Sequence, residues 1–334
     1  MQSRPTIHDV ALRAGVSIAT VSRALRDVPS VRPRTVELVK TAARELGYQP
    51  NPLAAALRLN ATATIGMIVP AISNPYYAAL VEAVVRALQT TRREVLLSDS
   101  LDDPGIEQAR VHALLDRRVD GLIIVPCDRQ RSATAVATAA ARIPTVQLDR
   151  VVDGVESDFV VGHDDAGISM IVQHLGLASA KALHFVSARA SSSTGYSRLM
   201  AFRAATKGLV PRANEHLGEF TTTSGREAAT RLLASGRPVS AIICGADVIA
   251  LGVLQSLNEH GKQVPADVSV TGYDDIAFAE MANPPLTTIR QPVEDLAIAS
   301  IARLDARLSN PANKTQGTLI SPQLIVRSTT QMPN

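Results

Sequence analysis

Six polar side chains in this 334-residue chain, Asp149, Arg150, Arg198, Asp274, Asp275 and Gln291, recur with aromatic residues in a pattern suited to gripping a small polyol. The aromatics are Tyr76 and Tyr77, within Asn74-Pro75-Tyr76-Tyr77, and Phe220. A sugar needs flat ring faces against its C–H surface, and charged groups that bond its hydroxyls in pairs. Tyr77 and Phe220 can supply the first; Asp149, Arg150, Arg198 and Asp274 can supply the second. Each acid or arginine also has a plainer reading: Arg198 paired with a helix acid, Asp274-Asp275 capping the next helix, Asp149-Arg150 as a surface ion pair. What they share is position, because each lies near the end of an apolar run, where open parallel sheets bind their ligands.

A second constellation lies near the N-terminus. Thr6 can cap a short helix whose apolar side carries Val10, Leu12 and Ala14, and Gly15 permits a sharp bend. Ser17 can cap a second helix with Val21 and Leu25 facing inward. Ile18, Ala19, Thr20, Ser22 and Arg23 are then left facing outward, the arrangement of a DNA-reading helix-turn-helix, with Thr6 and Ser17 at its helix starts. Arg23 suits a guanine edge, and Ile18 and Ala19 suit close apolar contacts. A third helix, from about Val31 to Leu46, carries Val36, Val39, Ala43 and Leu46 at helical spacing.

Charge follows the same division. Residues 1–60 hold nine Lys/Arg against four acids, a net of +5, while the other 274 positions sum to −2. A basic head is the footprint expected for phosphate contacts. After it comes Pro50-Asn51-Pro52, in which Asn51 can cap a short Ala-rich helix containing Leu57 and Arg58. Alone, so short a helix is marginal in water.

From Thr64 onward, apolar runs alternate with amphipathic stretches. The expected strands are Ile65–Val69, Glu94–Leu97, Gly121–Val125 and Pro144–Leu148, then Ala182–Val186, His216–Phe220, Ala241–Cys244 and Val268–Tyr273. Helices lie between them, the first with Val81, Val84, Val85 and Leu88 inward. Nearly continuous apolar strands imply parallel, doubly wound sheets covered on both faces, here two in series forming a two-lobed α/β clamp. Cys127 and Cys244 lie far apart and read as reduced core thiols. The seven His have no metal-ligand spacing, and His163-Asp164 reads as loop, so no metal or cofactor is expected. An enzyme on such sheets would carry a phosphate loop, a nucleotide fingerprint or a nucleophile elbow, and none occurs. No apolar run of membrane-spanning length and no secretory core appear, so the expected location is the cytoplasm.

The run Thr6-Ile-His-Asp-Val-Ala-Leu-Arg-Ala-Gly-Val-Ser-Ile-Ala-Thr-Val-Ser-Arg-Ala-Leu25, followed by Leu46-Gly-Tyr-Gln-Pro-Asn51, resembles the lac-repressor/gal-repressor family of bacterial regulators. That resemblance implies a helix-turn-helix head (1–49), a hinge helix (50–61) and a periplasmic-binding-protein-like effector domain (62–334). Its first lobe would be about 62–160 and 292–320, and its second about 161–291 and 321–334. It also implies a homodimeric repressor on a palindromic operator, with paired Leu57 residues wedged into the minor groove beside Asn51 and Arg58. Asn74, Tyr76, Tyr77, Asp149, Arg150, Arg198, Asp274 and Gln291 carry over as effector contacts, with Phe220 added from the reading above. The Asp149-Arg150 pair is similar to the ribose-binding branch, which points to ribose or a ribose-containing ligand such as a nucleoside. Other outcomes are a hexose or phosphorylated sugar as effector, or a ligand-binding protein that has lost DNA binding. Three departures stand out. Ala55 replaces a usual polar or basic residue, and Ala246 replaces a usual Asn, which would widen the pocket. Leu175–Lys181 lacks the usual Gly-His and reads as a structural loop.

Overall fold

The computed structural model describes residues 5–25, 30–48, 62–91, 93–176 and 180–331, which fall into two compact units divided at Thr62. In the first unit, α1 (Ile7–Ala14), α2 (Ile18–Ala24) and α3 (Pro33–Leu46) enclose a small core. The Thr6 backbone N–H and hydroxyl both donate to the Asp9 carboxylate, at 2.7 and 2.8 Å, fixing the start of α1. Gly15 ends α1 in the left-handed region, φ +65°, where a side chain would be strained. The Ser17 hydroxyl then accepts the Thr20 N–H at 3.2 Å and starts α2.

Val10, Ala11, Ala14, Val21, Ala24, Val39, Ala42 and Ala43 are buried here. Leu12 is not among them. It is 86 % exposed, because Val10, Ala11 and Ala14 already share one helical face and Leu12 lies across the axis from it. Leu25 is only half-buried. Arg13 reaches Glu45 at 2.8 Å and ties α1 to α3.

The second unit begins with β1 (Thr64–Val69), α4 (Pro75–Leu88), β2 (Glu94–Asp99), α5 (Pro104–Asp116), β3 (Gly121–Ile124), α6 (Ala133–Ala140), β4 (Thr145–Leu148) and β5 (Asp158–Gly162). It continues through α7 (Asp164–Leu175), β6 (Leu183–Ala188), α8 (Ser193–Ala205), β7 (Glu215–Gly218), α9 (Thr222–Ala234), β8 (Ala241–Cys244), α10 (Asp247–Glu259) and β9 (Ser269–Thr271). The chain finishes with α11 (Ala277–Met281), β10 (Thr288–Arg290), α12 (Val293–Ser309), β11 (Gly317–Ile320) and β12 (Gln323–Ile325). The helices α4 and α5 start where the sequence places a cap before a proline, Asn74-Pro75 and Asp103-Pro104.

The first lobe is a parallel sheet in the order β11-β5-β4-β3-β1-β2, and the second is a parallel sheet in the order β7-β6-β8-β9. A short antiparallel pair, β10 with β12, adjoins the second lobe, where Thr287 bridges Thr271. The polypeptide crosses between the lobes three times: between β5 and α7, between β10 and α12, and between β11 and β12. The two lobes are therefore joined by three short connections.

Four expectations need correction. The strands β5 and β11 and the β10–β12 pair have no counterpart in the sequence reading, because each holds only one to three apolar residues. Val85 faces outward at 42 % exposure, since Leu80, Ala83, Val84 and Leu88 already form the buried stripe of α4. The edge strand β2 is only partly covered, with Glu94 and Leu97 exposed. Phe220 lies beyond the end of β7, in the turn that Thr221 closes by capping α9. Cys127 and Cys244 are both free and buried.

Candidate functional site

On the head, Ile18, Ala19 and Arg23 stand on the exposed face of α2, and the Arg23 Nε donates to the Ala19 carbonyl at 3.2 Å. Thr20 and Ser22 are half-buried rather than free on the surface, Thr20 because its hydroxyl meets that of Ser17 at 2.9 Å. Asn51, Leu57 and Arg58, together with the Ala55 departure, lie outside the described residues.

Between the lobes, the residues singled out at strand ends converge. Beyond β4, Asp149 accepts the Tyr76 hydroxyl at 2.7 Å, and beyond β9, Asp274 accepts the Gln291 amide at 2.8 Å. Arg198, on α8, lies between two acids: Nε donates to Asp164 at 2.9 Å, and Nη1 lies 3.4 Å from Asp274 while donating to the Gly245 carbonyl at 2.7 Å. Its guanidinium stacks 3.7 Å from the Tyr273 ring. Arg150 lies between ring faces, 5.6 Å from Tyr77 and 5.1 Å from Phe220, with Nη1 donating to the Cys127 carbonyl at 3.3 Å and Asp102 3.5 Å away. The Arg150 Nε is buried with no partner among the described residues. Such a donor is left for something else to satisfy.

Burial shapes the electrostatics. Desolvation pushes the Asp274 carboxyl up to about 7 against the pull of Arg198 and Gln291, and raises Asp149 against Arg150 and Arg198. For Arg198 burial opposes the charge, but Asp164 and Asp274 outweigh it and hold the guanidinium firmly protonated. Burial likewise raises the phenols of Tyr76 and Tyr77, which stay neutral donors. Asp102, Asp149, Asp274 and Asp275 all adopt positive φ, between 54° and 113°, in backbone that L-residues seldom occupy. Strain of this kind collects where a fold must aim side chains at a ligand.

Some members behave differently from expectation. Asn74 is a helix cap, accepting the Tyr76 N–H at 3.1 Å. Asp275 pairs with Arg290 at 2.7 Å and Arg327 at 2.8 Å rather than capping a helix. Asp247 is fully buried and braces the turn after β9, accepting the Thr288 hydroxyl at 2.5 Å and the Ile276 N–H at 2.9 Å. Ala246 is also fully buried and packed with the apolar core. The main omission is Asp164, read as loop. It opens α7 as the principal acid on Arg198, and together with Asp149, His163, Asp165, Ser193 and Ser197 it lines a cavity of about 180 Å³. Its signal is the end of β5, a strand whose apolar run is too short to stand out in the sequence.

Among the described residues no cluster of His, Cys, Asp and Glu could hold a metal ion, and no helix is long and apolar enough to cross a membrane. A helix-turn-helix head followed by a two-lobed α/β domain with a polar, aromatic-walled cleft defines a class: DNA-binding regulators that respond to a small ligand. The comparisons agree. Residues 6–51 match the bacterial regulatory proteins of the lacI family, and residues 172–330 match the periplasmic binding protein-like domain. The chain is 32 % identical to the ribose operon repressor of Escherichia coli K12, over 96 % of this chain and 98 % of that protein. It is 31 % identical to the HTH-type transcriptional repressor PurR of Pectobacterium carotovorum, over 96 % of each. Its fold superposes on the lac repressor dimer bound to operator and the anti-inducer ONPF with a TM-score of 0.89 and 30 % identity, covering 98 % of this chain and 99 % of that one. The chain belongs to the lacI family of bacterial regulatory proteins, as a transcriptional repressor.

Proposed function

We propose that this repressor acts in the cytoplasm as a homodimer on a palindromic operator, and that its effector is ribose or a ribose-containing compound held between the lobes. The division of labour is a head (1–49), a hinge (50–61) and an effector domain (62–334). The observation that carries the effector reading is the buried set Arg198, Asp274, Gln291, Asp149 and Tyr76, whose fixed donors and acceptors suit a small polyol. Tyr77 and Phe220 supply ring faces beside Arg150. The acids Asp149, Asp164 and Asp165 around the adjoining cavity disfavour a phosphate, which argues against a phosphorylated sugar. Similarity to a ribose operon repressor supports the same choice.

A ligand shifts DNA occupancy only through different affinities for two states of the protein, so effector binding should alter how the lobes close and thereby how paired heads are spaced. Calorimetric titration of the wild type, Arg198→Ala and Asp274→Ala with ribose, uridine and a hexose panel tests the assignment. Ribose or uridine binding that both substitutions abolish supports it. Response to a hexose or phosphorylated sugar alone, or undiminished binding in both variants, overturns it.

A further inference from the structure

At the edge of the cavity that adjoins Asp149, the loops after β3 and β6 meet across the cleft. The Arg129 backbone N–H, on the first lobe, donates to the Ser191 carbonyl on the second at 2.6 Å. The Arg129 guanidinium lies 3.9 Å from the centre of the Tyr196 ring, on α8 of the second lobe. A cation this close to a ring face is attracted by the ring quadrupole. Beside them the Val151 N–H donates to the Ser193 hydroxyl at 2.9 Å, adding a second link between the lobes.

Arg129 is held ready for this contact from its own side. The Asp153 carboxylate takes its Nε at 2.7 Å, and the Asp153 N–H donates to its carbonyl at 2.8 Å. Its loop is pinned as well: the Asp128 carboxylate accepts the N–H groups of Gln130 and Arg131 at 2.9 and 2.7 Å, and the Ser132 hydroxyl accepts the Asp128 N–H at 3.1 Å. Beneath, the buried Glu107 carboxylate accepts the Cys127 N–H at 2.8 Å. A side chain fixed in advance loses little freedom when it makes a contact, so more of the attraction is realised. The strand β3 lies two strands from β5, so this contact is separate from the crossings that join the lobes.

We propose that Arg129 and Tyr196 form a latch that holds the lobes together. Resting on the effector reading above, it follows that the latch sets part of the apparent affinity, because a ligand that selects the closed state binds in proportion to how often that state is populated. Opening the latch breaks the Arg129–Ser191 hydrogen bond and exposes that amide to exchange. Hydrogen exchange of the peptide carrying Arg129 is therefore measured in the ligand-free full-length wild type, Tyr196→Ala and Tyr196→Phe, followed by ribose titration of each.

Tyr196→Ala should speed exchange of the Arg129 amide, on the opposite lobe, by about fivefold or more, and weaken ribose binding about three- to tenfold through faster dissociation. Tyr196→Phe, which keeps the ring, should match the wild type in both. Unchanged exchange in Tyr196→Ala overturns the latch, as does equally fast exchange in Tyr196→Phe. Exchange that responds as expected in a protein blind to ribose leaves the latch standing and removes the sugar assignment.

Discussion

The Gln291 side-chain amide donates to the Asp274 carboxylate at 2.8 Å, joining the second crossing between the lobes to the acid that follows β9. A residue on one of the connections between the lobes is thus bonded to an acid proposed to hold the effector.

Asp274 gives the pair a dependence on pH. Burial raises its carboxyl to about 7, and a hydroxyl donor from a bound polyol favours the ionised form, so binding should draw the proton off. Affinity for ribose is expected to rise as pH climbs through about 7 and to weaken below it. The effect on folding has the opposite sign: a raised pKa means that ionising Asp274 costs stability as pH climbs from the ordinary carboxylate range towards 7. Ribose dissociation constants across about pH 5.5 to 8.5 check the first expectation, with Asp274→Asn weak and flat throughout. A flat wild-type profile would count against it.

A second pH response resides in the second lobe. The Nδ1 of His184 and Nε2 of His216 are 3.2 Å apart, and the Nε2 of His184 faces the Pro238 carbonyl at 3.1 Å. A carbonyl only accepts, so His184 donates there and accepts from His216, and both rings are neutral. Burial, then the neighbouring His184 and Arg237, pushes His216 down to about 4. Because the unfolded side chain titrates near pH 6.5, this contribution is fully present above that value and is lost as pH falls towards 4. Melting temperature should drop over this interval, and His216→Gln should make the drop shallower. Equal slopes in both proteins would contradict the assignment.

Helices α9 and α10 approach so closely that each needs a glycine. A Cβ on Gly252 would lie 1.9 Å from the Thr222 carbonyl oxygen, and one on Gly225 would lie 2.1 Å from that of Ile249. These are backbone atoms and cannot swing aside. Gly252→Ala should cost about 1–3 kcal/mol or more, read from urea unfolding. A loss below about 0.5 kcal/mol would show that the helices can move apart.

On the head, Arg23 stands free of acidic partners among the described residues, bonded only to its own helix at Ala19. If it reads a guanine edge, Arg23→Ala should cost about 1–3 kcal/mol and relax specificity at a single base pair in each half-site. Binding to a panel of operator variants measures this; uniform weakening at every position would mark a phosphate contact instead. Leu57→Ala should weaken operator binding far more than binding to unrelated DNA, as an apolar wedge requires.

How much of this was legible in advance varies by residue, for physical reasons. Asp149, Arg150 and Asp274 could be placed because buried parallel strands announce themselves as apolar runs whose carboxyl ends point to a ligand, whereas Gln291 follows the antiparallel β10 and was placed only by the family resemblance. Asp164 escaped because β5 presents only Phe159, Val160 and Val161 between Asp158 and Gly162, too short a run to stand out. Periodicity located α1 and α4 but not the limits of their buried stripes: Val85 lies just outside that of α4, and Leu12 on the opposite side of α1. The Arg129–Tyr196 contact joins a loop residue to a helix residue far away in sequence, and local pattern carries no information about such pairing.

The central claim is that one cleft ligand controls one DNA site, and operator affinity measured with and without ligand tests it most directly. The full-length protein selects its own site from random duplexes, and that site is then titrated with and without saturating ribose or uridine, for wild type and Arg198→Ala. We predict that one of these ligands shifts the wild-type operator dissociation constant by about fivefold or more and leaves Arg198→Ala unmoved. An operator affinity indifferent to both ligands, or shifted equally in the two proteins, would contradict the account.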